Sequence, residues 1–210
     1  RPSLKLFAET SGKNSLVVSA MADRELAAAD LVKSAFGHSG QKCSAASLGI
    51  LEAEVYEDKK FLQLVKDAAG SLKVGPDDGE SWLLEPKVSS EDPCLWSPGI
   101  KLGVSPHSWF HQTECFGPVL GLMRAENLEE AVNYQNSVKY GLTAGFHSLD
   151  EREIKDWKQR VQAGNLYINR GTTGAIVQRQ PFGGWKRSSI GPGAKAGGPN
   201  YVNLFRRLSD

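Results

Sequence analysis

The sequence has little cysteine, almost no net charge and no long apolar run, and each scarcity narrows what the protein can be. Its three cysteines, Cys43, Cys94 and Cys115, are an odd number at irregular spacing in 210 residues. That argues against a disulfide framework or a cysteine-rich zinc site and favours free thiols in a reducing, cytoplasmic setting. Twenty-five basic against 24 acidic residues leave a formal charge of +1, too weak a field to gather nucleic acid or an anionic membrane surface. No stretch of about 18 apolar residues is present to cross a bilayer, and no charged segment followed by an apolar run opens the chain as a secretion signal would. The four histidines, His38, His107, His111 and His147, are scattered without ligand spacing, so no metal centre is expected. By elimination the partner is a small molecule.

What is present is an α/β pattern. Ser15 to Ser19 is a short apolar, β-branched run that reads as a buried strand, and Asp23 can cap a helix running to the Gly37-His38-Ser39-Gly40 breaker. Ala46 to Val55 reads as a second strand, and Glu57 to Ser71 as a helix with Phe61, Leu64, Val65 and Ala68 on one face. The alternation returns as strand Pro118 to Met123, helix Leu128 to Ser137, strand Thr143 to His147, helix Glu151 to Val161 and strand Asn165 to Asn169. Strands alternating with helices predict a largely parallel sheet flanked by helices. From Gly171 onward glycine, proline and basic residues take over, but Phe182, Trp185, Tyr201 and Phe205 predict loops packed onto the domain rather than a free linker. The abrupt opening at Arg1-Pro2-Ser3-Leu4 reads as a piece of a longer chain.

Three segments could carry chemistry. Cys43 follows a glycine-rich turn and a lysine in Gly40-Gln41-Lys42-Cys43-Ser44-Ala45, where positive charge and exposed amides would lower a thiol pKa. Taken alone it reads first as small buried filler. Glu9, in Ala8-Glu9-Thr10-Ser11-Gly12-Lys13-Asn14, is a candidate base only if the fold brings it to the thiol; by itself it is a solvated charge or a cap. Glu114-Cys115-Phe116-Gly117-Pro118 puts an acid and an aromatic at the mouth of a strand, where open α/β sheets usually bind ligands, or is simply the loop that enters that strand.

In order along the chain, AETSGKN around Glu9, GQKCSA around Cys43, ECFGPVL around Glu114, Tyr140-Gly141-Leu142-Thr143-Ala144-Gly145 and Pro181-Phe182-Gly183-Gly184-Trp185-Lys186 together resemble the aldehyde dehydrogenase superfamily, over the latter half of a typical member. Within it, Gly164-Asn165-Leu166-Tyr167-Ile168-Asn169-Arg170, Thr172-Thr173-Gly174-Ala175 and the ending Gly193 to Tyr201 are similar to the glutamate semialdehyde dehydrogenases, particularly the dehydrogenase part of bifunctional proline-utilisation proteins. The resemblance implies a catalytic domain over 1–198, a tail over 199–210 that helps subunits associate, and a cofactor-binding domain lying outside this sequence. It makes Cys43 the nucleophile and Glu9 the base that activates water. It makes Ser44, Gly174 and Ala175 the anchor for the substrate's aminocarboxylate and Phe182 the lining for its aliphatic chain. Glu114 and Phe116 would then hold the ribose of NAD.

The implied reaction is oxidation of L-glutamate γ-semialdehyde through a thiohemiacetal and a thioester. The whole protein would be a homo-oligomer, with a proline dehydrogenase domain fused upstream as one option. Two departures bear on this. The stretch between Leu72-Lys73-Val74-Gly75-Pro76 and Trp82-Leu83-Leu84-Glu85-Pro86 is shorter than the resemblance leads one to expect. The family's oxyanion-stabilising asparagine would also lie outside the chain, and loss of one such donor costs about 10²–10³ in rate, so the isolated chain is expected to have little or no activity. Oxidation of another aldehyde, or a non-catalytic fragment serving only oligomerisation, are the alternatives.

Overall fold

A computed structural model of the protein describes residues 6–70, 81–90, 92–191 and 195–205. In chain order the elements are β1 (Ala8–Glu9), β2 (Asn14–Val18), α1 (Arg24–Phe36), β3 (Ala46–Glu52), α2 (Ala53–Tyr56), α3 (Lys59–Gly70), β4 (Ser81–Leu84), β5 (Gly99–Leu102), α4 (Trp109–Gln112), β6 (Val119–Ala125), α5 (Leu128–Asn136), β7 (Tyr140–Gly141), β8 (Thr143–His147), α6 (Glu151–Arg160), β9 (Asn165–Ile168), β10 (Trp185–Lys186) and β11 (Ser189–Ile190). Seven strands form one sheet in the order β4-β5-β6-β3-β2-β8-β9. Every neighbouring pair is parallel except β4–β5. The α/β class with a largely parallel sheet is therefore the observed architecture.

The sheet is covered on both faces, as parallel strands require. Alternation along β2 sends Leu16 and Val18 to a core with Leu31, Phe61 and Val65 of α1 and α3. Val17 points the other way, to a core with Met123, Phe146 and Trp157 under α5 and α6. The Trp157 ring stacks on Phe146 with centroids 5.2 Å apart. Each long crossover helix starts at a side-chain cap: Asp23 accepts from Leu26 N–H at 3.0 Å, and Asn127 and Asp150 do the same for α5 and α6.

Four expectations change. The strand predicted over Ala46–Val55 ends at Glu52, because Ala53-Glu54 are good helix formers and Val55 turns into the core as part of α2. Leu64 lies on the exposed side of α3, whose buried stripe is Phe61, Val65 and Ala69 at four-residue spacing. Strands β4 and β5 and the single-turn α4 had no readable signal. The stretch after Gly171 is not all loop, since β10 pairs with β7 and β11 with β1, both antiparallel. Its loops do pack back, with Phe205 5.2 Å from the ring of Phe7. The shortened stretch falls largely on residues 71–80, which with Arg1 to Lys5 and the end of the tail lie outside the described residues.

Candidate active site

Cys43, Glu9 and Glu114 are brought together because each precedes a parallel strand: Glu9 precedes β2, Cys43 β3 and Glu114 β6. They therefore share the amino edge of the sheet. This corrects the sequence reading of Glu114, which invoked the side on which open α/β sheets usually bind ligands; that side is the carboxyl edge.

The turn before Cys43 is unusual backbone. His38, Ser39 and Gly40 all take positive φ, at 57°, 57° and 65°. At Gly40 a Cβ would stand 2.2 Å from the carbonyl oxygen of Gly117. Only glycine lets the turn before Cys43 lie against the Glu114 loop. Cys43 is left exposed.

Glu9 is fixed from the far end of the chain. β1 pairs with β11 in the register Glu9 opposite Ser189, and Thr10 N–H donates to Ser188 O at 3.1 Å. The Ser188 hydroxyl donates to Ser11 O at 2.7 Å and accepts from Gly141 N–H at 3.0 Å. Partial burial pushes the Glu9 carboxyl above the ordinary carboxylate range. The Cys43 thiol is also pushed up, first by burial and then by the Glu9 carboxylate, while the amides of Ser44 and Cys43 pull it down and Glu114 adds a smaller upward push. The Glu9 carboxylate thus acts on the Cys43 thiol from a remote segment. The expectation of a lowered thiol pKa is overturned, because burial, reinforced by the Glu9 carboxylate from a remote segment, outweighs the local amides.

On one side of Cys43 lies a pocket of about 320 Å³ whose wall includes Ser44, Gly174, Ala175 and Phe182. All four residues assigned to the substrate side are together with the thiol. Gly174 has φ +92°, a conformation glycine adopts without strain. Phe182 is held by a two-way backbone bridge to Ala196, with N–H···O distances of 2.9 and 2.7 Å. Ile176, Val177 and Gln180 also line this pocket. Sequence reasoning missed them, although they sit in the single run joining the TTGA and PFGG motifs.

On the other side, Glu114 and Phe116 line a crevice with Lys42 and Gly12. One Glu114 oxygen accepts from Gly12 N–H at 3.0 Å, which ties the acid to the Glu9 segment. Phe116 has φ 50° and is 47% exposed. An anchored carboxylate with a free acceptor beside an uncovered ring fits the hydroxyls and face of a nucleotide ribose. With a free volume of about 10 Å³, the crevice can edge a cofactor but not enclose one. A larger hollow of about 530 Å³ holds Cys94, Cys115, Trp82 and Trp109; neither Cys43 nor Glu9 reaches it.

His111 and His147 are fully buried. Among the described residues no three His, Cys, Asp or Glu side chains cluster as a metal site, and no helix is long and apolar enough to cross a membrane.

The aldehyde dehydrogenase family model matches residues 2–93 and 79–209. The chain is 35% identical over 227 aligned positions to the 1-pyrroline-5-carboxylate dehydrogenase of Geobacillus sp. strain WCH70, covering 95% of this chain and 43% of that protein. Proline utilization A from Corynebacterium freiburgense superposes with a TM-score of 0.91 at 51% identity, covering 100% of this chain and 25% of that one. The 1-pyrroline-5-carboxylate dehydrogenase from Thermus with bound NAD gives 0.86 at 33% identity, covering 95% and 43%. The chain spans less than half the length of each of these relatives. With the thiol, the acid and the TTGA loop already gathered at one edge of the sheet, these matches establish that the chain belongs to the aldehyde dehydrogenase family.

Proposed function

We propose that this chain is the nucleophile-bearing part of an enzyme that oxidises L-glutamate γ-semialdehyde to L-glutamate with NAD. The observation that carries the reading is the pocket shared by Cys43 with Ser44, Gly174, Ala175 and Phe182. Its volume of about 320 Å³ is at the small end of ligand sites, roughly 300–1,000 Å³, as a five-carbon substrate requires. The buried Ser44 hydroxyl and the amides of Gly174 and Ala175 offer hydrogen bonds to a carboxylate. Phe182 lies along the aliphatic chain.

As thiolate, Cys43 forms an Sγ–C bond to the aldehyde carbon and the carbonyl electron pair moves to oxygen. NAD, when bound, supplies the acceptor for the hydride whose loss leaves a thioester on Cys43. Glu114 and Phe116 are the residues of this chain that would hold its ribose. Glu9, with its raised pKa, takes a proton from water; the water oxygen bonds to the acyl carbon and the Cys43 thiolate leaves. Similarity to the NAD-bound Thermus enzyme supports the cofactor. Similarity to proline utilization A, of which this chain covers 25%, supports a longer protein with room for an upstream proline dehydrogenase domain; a cytoplasmic location and homo-oligomeric assembly belong to the same proposal and rest on the sequence resemblance. The 210 residues alone should have little or no dehydrogenase activity, and a chain extended toward the N-terminus should gain it.

Ala175→Pro removes one anchor N–H. In the extended protein it should raise KM for glutamate semialdehyde at least tenfold more than KM for a simple aliphatic aldehyde, an N–H to a charged partner being worth about 1.5–3 kcal/mol. Equal effects on both substrates would rule out the aminocarboxylate anchor.

A further inference from the structure

The loop bearing Cys43 is gripped from beneath in a way the proposed chemistry does not by itself require. Asn14, the first residue of β2, donates from Nδ2 to Cys43 O at 2.7 Å and to Ala45 O at 2.9 Å. Its Oδ1 accepts from Thr143 N–H at 3.0 Å. The carbonyl between those two, Ser44 O, accepts from Thr172 Oγ1 at 2.9 Å and from Thr143 Oγ1 at 3.3 Å. Thr172 is itself tied down, its N–H donating to Ser34 Oγ at 2.9 Å. Asn14, Thr143 and Thr172 are 3%, 3% and 0% exposed, so these bonds are shielded from water except the one to Cys43 O, which is part-buried. The β2–β3 pairing shifts register between Asn14 and Ser15, at the point where the carboxamide reaches under the neighbouring loop.

Three successive carbonyls fixed toward the interior have a consequence on the opposite side. In a trans peptide the N–H of the next residue points away from the carbonyl. Turning Cys43 O toward Asn14 therefore turns the Ser44 N–H outward, to the face on which Sγ stands. That amide is one of the groups that eases ionisation of the thiol.

We propose that Asn14, with Thr143 and Thr172, forms a positioning clamp that fixes the Cys43 thiol by pinning the carbonyls of residues 43, 44 and 45. The proposal rests on Cys43 being the nucleophile. Thr172 belongs to the loop that continues into Gly174 and Ala175, so the clamp also holds the thiol at a set distance from the substrate anchor.

The test is the pH profile of iodoacetamide alkylation of Cys43, read by peptide mass mapping, with the exposed Cys94 of the same molecule as reference. Thr172→Val keeps the side-chain shape and removes one pin; Thr172→Ser restores the hydroxyl; Asn14→Ala removes two pins. Alkylation of Cys43 at pH 7.5 should fall about fivefold in Thr172→Val and about tenfold in Asn14→Ala, the latter equal to an upward move of one pH unit in the profile. Thr172→Ser should stay within twofold of wild type, and Cys94 should react as before in all three. Cys43 profiles that overlay wild type while the melting temperature falls would reduce the clamp to structural glue and overturn the proposal. If Asn14→Ala does not fold, the Thr172 pair decides by the same criterion. No aldehyde or cofactor enters the assay, so this result and the Ala175→Pro result fail independently.

Discussion

The two edges of the central sheet are built from similar residues and do opposite things. At the carboxyl edge several polar groups satisfy one another, although both ring nitrogens of His147 and Asp30 Oδ2 have no hydrogen-bond partner among the described residues. The Ser19 and Ser148 hydroxyls both donate to Glu153 at 2.6 Å, Ala20 N–H donates to Glu52 at 2.6 Å, and the Asn169 carboxamide brackets the backbone of Ser148. Burial keeps His147 below its ordinary pKa although Asp30 stands 3.3 Å away. At the amino edge the loops instead leave Cys43, Glu9 and one oxygen of Glu114 facing open space beside two concavities. Open α/β sheets usually bind ligands at the carboxyl end; here internal hydrogen bonds occupy much of that end, and the proposed chemistry has the other end. The difference teaches that side of sheet follows from which loops keep unspent polar groups.

The sharpest way to break this comparison is Cys43→Ala, at the amino edge. In the intact enzyme it should lower kcat by a factor on the order of 10⁴–10⁶, the scale for removing a covalent nucleophile. Because the side chain is exposed, the urea midpoint should move by no more than about 0.5 kcal/mol in stability. A stable variant with activity within tenfold of wild type would end the assignment.

Trp157→Ala probes the core that carries the carboxyl edge. Trp157 is fully buried and its Nε1 donates to Gln135 at 2.7 Å. The change should cost about 3–5 kcal/mol, measured by urea unfolding, with kcat per folded molecule kept within severalfold. A specific loss of kcat in the folded variant would mean that the two edges are not separable.

The smallest effect is in pH. His107 N–H donates to His111 Nδ1 at 2.8 Å, and the other ring nitrogen lies 3.1 Å from Tyr134 O. Nδ1 is therefore needed as an acceptor, and burial holds the ring neutral with a pKa of about 4 against the usual 6.5. Between those values the unfolded chain binds the proton and the folded one does not, so stability must fall as pH drops from about 6.5 toward 4, by on the order of 3 kcal/mol. His111→Gln should flatten that slope in urea titrations at pH 7 and 5; an unchanged slope would place the acid sensitivity elsewhere.

Much of the fold was legible because its βα units are locally consistent. Asp23 caps the helix it was read to cap, and Thr143–His147 begins and ends where the apolar run does. β4 and β5 escaped because they are short, and their antiparallel pairing is broken between Trp82 and Leu84. In the site, the motifs named the residues that the fold gathers around Cys43, but two physical features were invisible. The edge of the sheet depends on strand direction, which no local pattern encodes. The raised thiol pKa depends first on burial and then on Glu9, and both act on Cys43 only in the folded chain. Asn14 carried no signal of its own for the same reason, since its three partners come from remote segments.

The measurement closest to the central claim, that thiol and acid serve one bound acyl group at the amino edge, is intact and peptide-mapped mass spectrometry of Glu9→Gln in the extended protein. The sample is mixed with glutamate semialdehyde and NAD. Loss of a general base slows its step by about 10²–10⁴, so a glutamyl thioester should accumulate on Cys43 and persist for minutes while steady-state turnover collapses. Undiminished turnover, or an acyl group on Cys94 or Cys115 instead, would contradict the account.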